Sequence, residues 1–283
     1  MVTIDEVKCT GCGLCIGVCP VRLIAPGPTL DPHRASHCLE CGHCFAICPE
    51  GAITVLGFEG LETEPLPDEP PVSPWALRSL LRRRRSGRAY SDRPVARQHL
   101  EGLIEAASLA PSAHNGRPLR AHVCADSAAV DRVRQETQAY YRQLLRKLRS
   151  PYGRLLWCLR GQPPDKFDVM VAMLEVIANA EGASDPLLYH APVVLAFSAP
   201  KADPMTVADG WLAAQNATLY AETVPLATCY NGFIVMAARD WAPLRTALGL
   251  EPGHQVIATI MLGYPARTYR RSAPRRTMPT TWL

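Results

Sequence analysis

Eight of the chain's eleven cysteines stand in two copies of one pattern, Cys9-x2-Cys12-x2-Cys15-x3-Cys19-Pro20 and Cys38-x2-Cys41-x2-Cys44-x3-Cys48-Pro49. Each cysteine of the second copy follows its counterpart by 29 residues, so the first sixty residues are an internal repeat. A segment this short buries too little apolar surface to be comfortably stable, and metals or disulfides commonly hold such units together. A disulfide scaffold fits poorly, because the N-terminus carries no secretory signal and 283 residues are too many for a stapled mini-domain. Structural zinc also uses Cys-x2-Cys pairs, but a tetrahedral site needs neither a third thiolate two residues on nor a Cys-Pro close. Three thiolates separated by two residues each can instead wrap the backbone round three corners of an iron–sulfur cubane. Loss of iron is therefore expected to unfold residues 1 to about 58. The runs Val2-Thr3-Ile4 and Ile53-Thr54-Val55 read as small strands closing the two ends of this unit.

The two runs resemble those of two-cluster bacterial ferredoxins, in which the fourth cysteine of each run ligates the other cluster. That resemblance implies two [4Fe-4S] clusters and a role in moving electrons. One cluster would take Cys9, Cys12, Cys15 and Cys48, and the other Cys38, Cys41, Cys44 and Cys19.

After Gly57 the composition changes: Glu59, Glu62, Glu64, Asp68 and Glu69 interleave with Pro65, Pro67, Pro70 and Pro71. Residues 59–74 read as a stiff acidic linker between a domain at 1–58 and a second at 75–283. Residues 1–74 carry three basic and ten acidic side chains, net −7, whereas residues 75–283 carry 27 and 16, net +11. Opposite charge favours docking of the two parts and steering of partners, or else simply keeps each part soluble. In the second part a helix starts at Ser73-Pro74 with Leu77, Leu80 and Leu81 on one face. A second carries Leu100, Leu103, Ile104 and Ala107 and stops at Pro111. Further helical patterns cover about 128–149, 168–181 and 205–224, with strands at Ala121–Cys124, Pro192–Ser198 and Gln255–Leu262. Helices outnumber strands, which predicts an α+β fold. No apolar stretch nears the roughly 20 residues needed to cross a bilayer, and the expectation is a cytoplasmic protein.

Two stretches carry a second resemblance: Arg84-Arg85-Ser86-Gly87-Arg88-Ala89-Tyr90, and Ala110-Pro111-Ser112-Ala113-His114-Asn115-Gly116-Arg117-Pro118. With Ala214-Gln215-Asn216, Thr228-Cys229-Tyr230-Asn231-Gly232-Phe233 and Leu262-Gly263-Tyr264-Pro265, they resemble the FMN-dependent nitroreductase family over residues 78–276. The whole chain looks like a ferredoxin–nitroreductase fusion. The resemblance implies that Arg84, Arg85, Ser86 and Arg88, helped by Arg275, hold the FMN phosphate and ribityl chain. Guanidinium forks and a hydroxyl suit a phosphate dianion. Taken alone, Arg82 to Arg85 fits a solvated helix end or a nonspecific nucleic-acid patch; the neighbouring motifs set that aside. The resemblance also implies that Pro111, Ser112 and Asn115 reach the flavin of a partner subunit, hence a homodimer with FMN at its interface. Asn115 would pair with the pyrimidine edge of the ring, while Asn231 and Gly232 present backbone groups near N5.

The chain departs from the family where Pro225-Leu226-Ala227 replaces a Gly-Leu-Gly run, since proline removes a backbone donor. His114 either reaches the substrate or packs in its loop. Cys124, Cys158 and Cys229 fit no ligand spacing and read as small buried hydrophobes. Residues 140–166 match no motif and read as a lid or a cover on the dimer. No Gly-x-Gly-x-x-Gly run follows a strand, so no Rossmann nicotinamide site is expected. The expected function is a reductase fed through the clusters, by an external ferredoxin or another donor, and passing electrons to a nitroaromatic, quinone or activated alkene. A dehydrogenase running the other way and a non-catalytic redox subunit remain alternatives; neither nucleic acid nor membrane is an expected partner.

Overall fold

The computed structural model describes every residue except 1, 28, 59, 62, 160, 162, 181–183 and 201–203. Glu59 and Glu62 of the acidic linker, and the expected helix end at Glu181, thus lie outside the described residues. Contacts divide the chain into two units: Met1–Pro71 with Ser112–Arg117, and Val72–Pro111 with Pro118–Leu283. Linker residues 60, 61 and 63–72 are all exposed.

In the first unit, β1 (Val2–Ile4) leads to α1 (Leu14–Val18), the hairpin β2 (Ile24–Ala25) and β3 (Thr29–Leu30), a 3-10 turn at Pro32–His37, α2 (His43–Ile47) and β4 (Ile53–Val55). The two end strands pair antiparallel, with Val2 opposite Val55 and Ile4 opposite Ile53. The sequence repeat is a structural repeat. Gly13 and Gly42, 29 residues apart, cap α1 and α2 at φ of 76° and 74°, a left-handed conformation that glycine adopts without a Cβ penalty. The apolar core is small, with Val2, Leu23, Ile24, Ile53 and Val55 buried around Cys44.

The second unit holds α3 (Pro74–Arg83), α4 (Arg97–Ser108), β5 (Arg120–Cys124), α5 (Ser127–Leu148), α6 (Gly153–Leu159), a 3-10 turn at Pro164–Lys166, and α7 (Phe167–Ala178). Then come β6 (Val193–Pro200), α8 (Pro204–Ala221), β7 (Ala227–Tyr230), α9 (Gly232–Asp240), α10 (Ala242–Ala247) and β8 (His254–Gly263). The fold is α+β. Strand order is β5-β6-β8-β7, antiparallel throughout. Helices cover both faces of the sheet, which is why β6 reads as an almost unbroken apolar run. Its Val194 and Ala196 pack into one core with α5, α7 and α9, while Val193, Leu195 and Phe197 pack into a second with α4 and α8.

Local chemistry sets the helix starts. Ser73 accepts from the Ala76 N–H ahead of Pro74, and Asp126 accepts from Ala129 at the head of α5. The long elements fall within a few residues of the sequence expectation; β7, α6, α9 and α10 are additional. The expected helix forms as α3 but buries none of its residues: Leu77 and Leu81 are both nearly half exposed. On the interior strand β6, fully buried Ser198 sits between two histidines, 2.7 Å from His122 Nε2 and 3.1 Å from His254 Nδ1. No helix among the described residues is long and apolar enough to cross a membrane.

Candidate redox site

The eight repeat cysteines ring two cavities in the first unit. One is lined by Cys9, Cys12, Cys15 and Cys48, the other by Cys38, Cys41, Cys44 and Cys19. Each set takes three thiols from one run and the fourth from the other. The crossing cysteines are held alike: the Leu23 N–H donates to Cys19 Sγ at 3.2 Å and the Ala52 N–H to Cys48 Sγ at 3.3 Å. These donors are again 29 residues apart, and N–H groups aimed at sulfur favour the thiolate that binds iron. Burial pushes the Cys15 and Cys44 thiols up, so a metal must displace their protons. Among the described residues no three His, Cys, Asp or Glu side chains close on a single ion. Four thiols spaced round each cavity suit a polynuclear iron–sulfur core.

Ser112 and Asn115 belong by their contacts to this same unit. The Asn115 amide donates to the carbonyls of Leu39 at 3.2 Å and Glu40 at 3.0 Å, and its oxygen accepts from Arg117 Nε at 3.3 Å. Ser112 Oγ accepts from the Arg117 N–H at 3.1 Å. The Asn115 amide nitrogen thus donates twice within the cysteine unit. Exposed His114 adopts φ 52° within this loop. Exposed Pro111 ends the preceding segment of the second unit.

In the second unit the basic segment is anchored to the sheet. Ser86 bridges to Thr228 of β7, and the Gly87 N–H donates to the Thr228 carbonyl at 2.9 Å. The Tyr90 hydroxyl donates to the Gly87 carbonyl at 2.6 Å; burial raises its pKa far above the usual phenol. A Cβ at position 87 would lie 2.7 Å from the Ala227 Cβ, so this anchoring requires glycine. Ala227 belongs to the departing Pro225-Leu226-Ala227 run, whose alanine methyl therefore packs against the basic segment. Arg84, Arg85 and Ser86 are half-buried and Arg88 is exposed; Arg85 and Arg88 lie over the rings of Tyr269 and Tyr189. Neighbouring Arg83 pairs with Glu222 at 3.6 Å. Arg275 lies in the exposed C-terminal tail.

Asn231 is turned inward. Its N–H donates to the Thr259 carbonyl, its carbonyl accepts from Thr259 Oγ1, and its side chain caps α9 while donating to Leu187. Both backbone polar groups of Asn231 are therefore used inside the fold. Gly232 differs: it is exposed, and an added Cβ would meet nothing within 4 Å. A further polar atom, absent from the sequence expectation, is the buried Thr228 Oγ1, which has no hydrogen-bond partner among the described residues. Its signal lay within the Thr228–Phe233 motif, but only a buried, unpaired hydroxyl reveals it. Cys124 and Cys229 are buried as expected, whereas Cys158 is exposed because α6 is a short surface helix.

Two thiol-ringed cavities in one unit and a basic, sheet-anchored loop in the other are the parts of an oxidoreductase. Residues 81–264 match the nitroreductase family, and residues 1–49 match a 4Fe-4S dicluster domain. The chain belongs to the nitroreductase family and carries a 4Fe-4S dicluster ferredoxin domain at its N-terminus. A nitrobenzene nitroreductase of Ectopseudomonas oleovorans is 27% identical over 211 residues, 69% of this chain and 88% of that protein. A nitroreductase with bound FMN from Bacteroides fragilis shares the fold at TM-score 0.58 and 18% identity, over 73% of this chain and 98% of that one. An iodotyrosine deiodinase bound to FMN and 3-iodo-L-tyrosine does so at TM-score 0.51 and 17% identity, with the same coverage of both chains.

Proposed function

We propose that this protein is an FMN-dependent reductase that takes in electrons at two [4Fe-4S] clusters. It delivers a hydride or an electron pair to an organic acceptor of the nitroaromatic, quinone or activated-alkene class. The observation that carries this reading is the pair of crossed four-cysteine cavities in the same chain as a nitroreductase domain. When bound, FMN bridges one-electron supply and two-electron delivery, while the protein positions it and tunes its electronics. Arg84, Arg85, Ser86 and Arg88 would hold its phosphate and ribityl chain, with Arg275 from the tail. The unpaired Thr228 hydroxyl would gain a partner from the ligand, and open space at Gly232 admits close approach of the ring. The name of the Ectopseudomonas relative supports a nitroaromatic acceptor.

The enzyme works as a cytoplasmic homodimer in this reading. Its support is the apolar surface left uncovered in one chain: Leu77 and Leu81 on α3, and Met205, Trp211 and Leu212 on α8. Pro111, Ser112 and Asn115 would then face the partner's flavin, as the family resemblance implies. Anaerobic stopped-flow mixing of the reconstituted protein with a one-electron donor tests the wiring. Cluster bleaching should precede flavin bleaching, and adding a nitroaromatic should reoxidise both. Flavin that stays oxidised while the clusters cycle would overturn the proposal; reduction of flavin by a substrate ahead of the clusters would reverse its direction.

A further inference from the structure

The two halves of the cysteine repeat differ in the turn between their first two cysteines. Within Cys9-Thr10-Gly11-Cys12 the third residue is glycine at φ 70°, and within Cys38-Leu39-Glu40-Cys41 the corresponding residue is glutamate at φ 48°. A left-handed residue without a side chain is easily tolerated, whereas one bearing a Cβ must be held there by its surroundings. Around Gly11 an added Cβ would meet nothing within 4 Å, so that turn is open. Around Glu40 the turn is gripped from outside, because both amide hydrogens of Asn115 end on the carbonyls of Leu39 and Glu40.

The grip is itself built. His114, Asn115 and Arg117 adopt φ values of 52°, 55° and 45°, and Arg117 ties the loop together through Asn115 Oδ1 and Ser112 Oγ. Three left-handed residues in four are costly unless contacts hold them. The contacts that do so include this pairing to the cysteine turn.

We propose that Asn115 is a positioning residue for the iron–sulfur site ringed by Cys19, Cys38, Cys41 and Cys44. It clamps the Cys38–Cys41 turn in the conformation that glycine secures unaided in the first repeat. The two sites are then inequivalent: one is completed by the repeat alone, and the other depends on residues 112–117. This rests on the reading that both cavities hold clusters, and it gives Asn115 a task distinct from touching flavin. Backbone and side-chain groups close to the sulfurs set cluster potential and solvent access, so loosening one turn should act on one cluster.

The test uses the full chain, reconstituted anaerobically with iron and sulfide, comparing the parent with Asn115→Ala and with Asn115→Ala/Glu40→Gly. Iron and sulfide content, the electron paramagnetic resonance spectrum of the reduced protein and the midpoint potential of each cluster are measured. The expected result for Asn115→Ala is that one of two cluster signals shifts or is lost, iron per chain falls towards half, and the other signal keeps its potential. Glu40→Gly in the same chain should restore the altered signal, because glycine holds the left-handed turn without a clamp. A merely structural role for Asn115 would not be rescued at position 40. Two unchanged signals in Asn115→Ala, equal shifts in both, or absence of rescue would overturn the clamp. A parent that binds no iron–sulfur cluster would overturn the cluster reading itself, a failure distinct from the others.

Discussion

Substituting alanine for Gly87 should loosen the basic segment from the sheet. The new methyl would sit 2.7 Å from the Ala227 Cβ, about 1 Å inside the roughly 3.5–4.0 Å separation at which carbon atoms attract. Relief by backbone movement is resisted on both sides, since the Gly87 N–H is bonded to Thr228 at 2.9 Å and its carbonyl to the Tyr90 hydroxyl at 2.6 Å. Overpacking of this kind costs about 1–3 kcal/mol. For a unit of this size that lowers the melting temperature by roughly 2–12 °C. If the segment moves, FMN should also bind less tightly, by about tenfold for each 1.4 kcal/mol of binding energy lost. Differential scanning calorimetry and a flavin-fluorescence titration read the two effects. The double variant Gly87→Ala/Ala227→Gly removes the opposing methyl. It should recover most of both losses, short of about 0.5–1 kcal/mol for glycine in a strand. If Gly87→Ala melts and binds FMN like the parent, or if the second change rescues nothing, the Ala227 methyl is not what demands glycine at 87.

Chelating the iron should unfold the cysteine unit while the larger unit stays folded, because the former has few buried apolar residues of its own. Hydrogen exchange should show protection lost at Val2–Ile4 and Ile53–Val55 but kept along β6 and β8. Burial first, then the nearby His254 and Arg120, hold the His122 imidazole below its ordinary value of 6.5, against an opposing pull from Glu251. Its stabilising contribution is therefore complete above about pH 6.5 and is lost as pH falls toward the depressed folded value, where the unfolded chain binds the extra proton. Urea midpoints measured from about pH 8 to about pH 5 should fall with acid, and His122→Phe should flatten that slope.

The cysteine unit was legible because its chemistry is local: the spacing of Cys9 to Cys19, repeated at Cys38 to Cys48, already names ligands and neighbours. The crossed sets came from resemblance, and the cavities group the same residues. Long elements such as α5 and β6 announce themselves by periodicity or by an apolar run. By contrast, β7 is four residues, Ala-Thr-Cys-Tyr, without alternation, and its membership of the sheet depends on pairing with distant β8. The inward turn of Asn231 was equally hidden, since its partners Leu187 and Thr259 lie 44 and 28 residues away. The segment of Asn115 looks like a family motif, and that likeness implies a flavin contact. Its bonds to Leu39 and Glu40 span 76 and 75 residues, a distance over which sequence pattern carries no signal.

The crossing of Cys19 and Cys48 makes the ferredoxin unit topologically indivisible. A cluster seated on Cys9, Cys12, Cys15 and Cys48 closes a long chain loop, and one on Cys38, Cys41, Cys44 and Cys19 closes a shorter loop nested wholly inside it. Each acts as a staple that lowers the conformational entropy of the unmetallated chain, much as a disulfide does. Closing the inner loop shortens the path between the ends of the outer one, so assembly of one centre should ease assembly of the other. A cut between the two runs would not leave two half-ferredoxins: neither fragment retains a full set of four ligands.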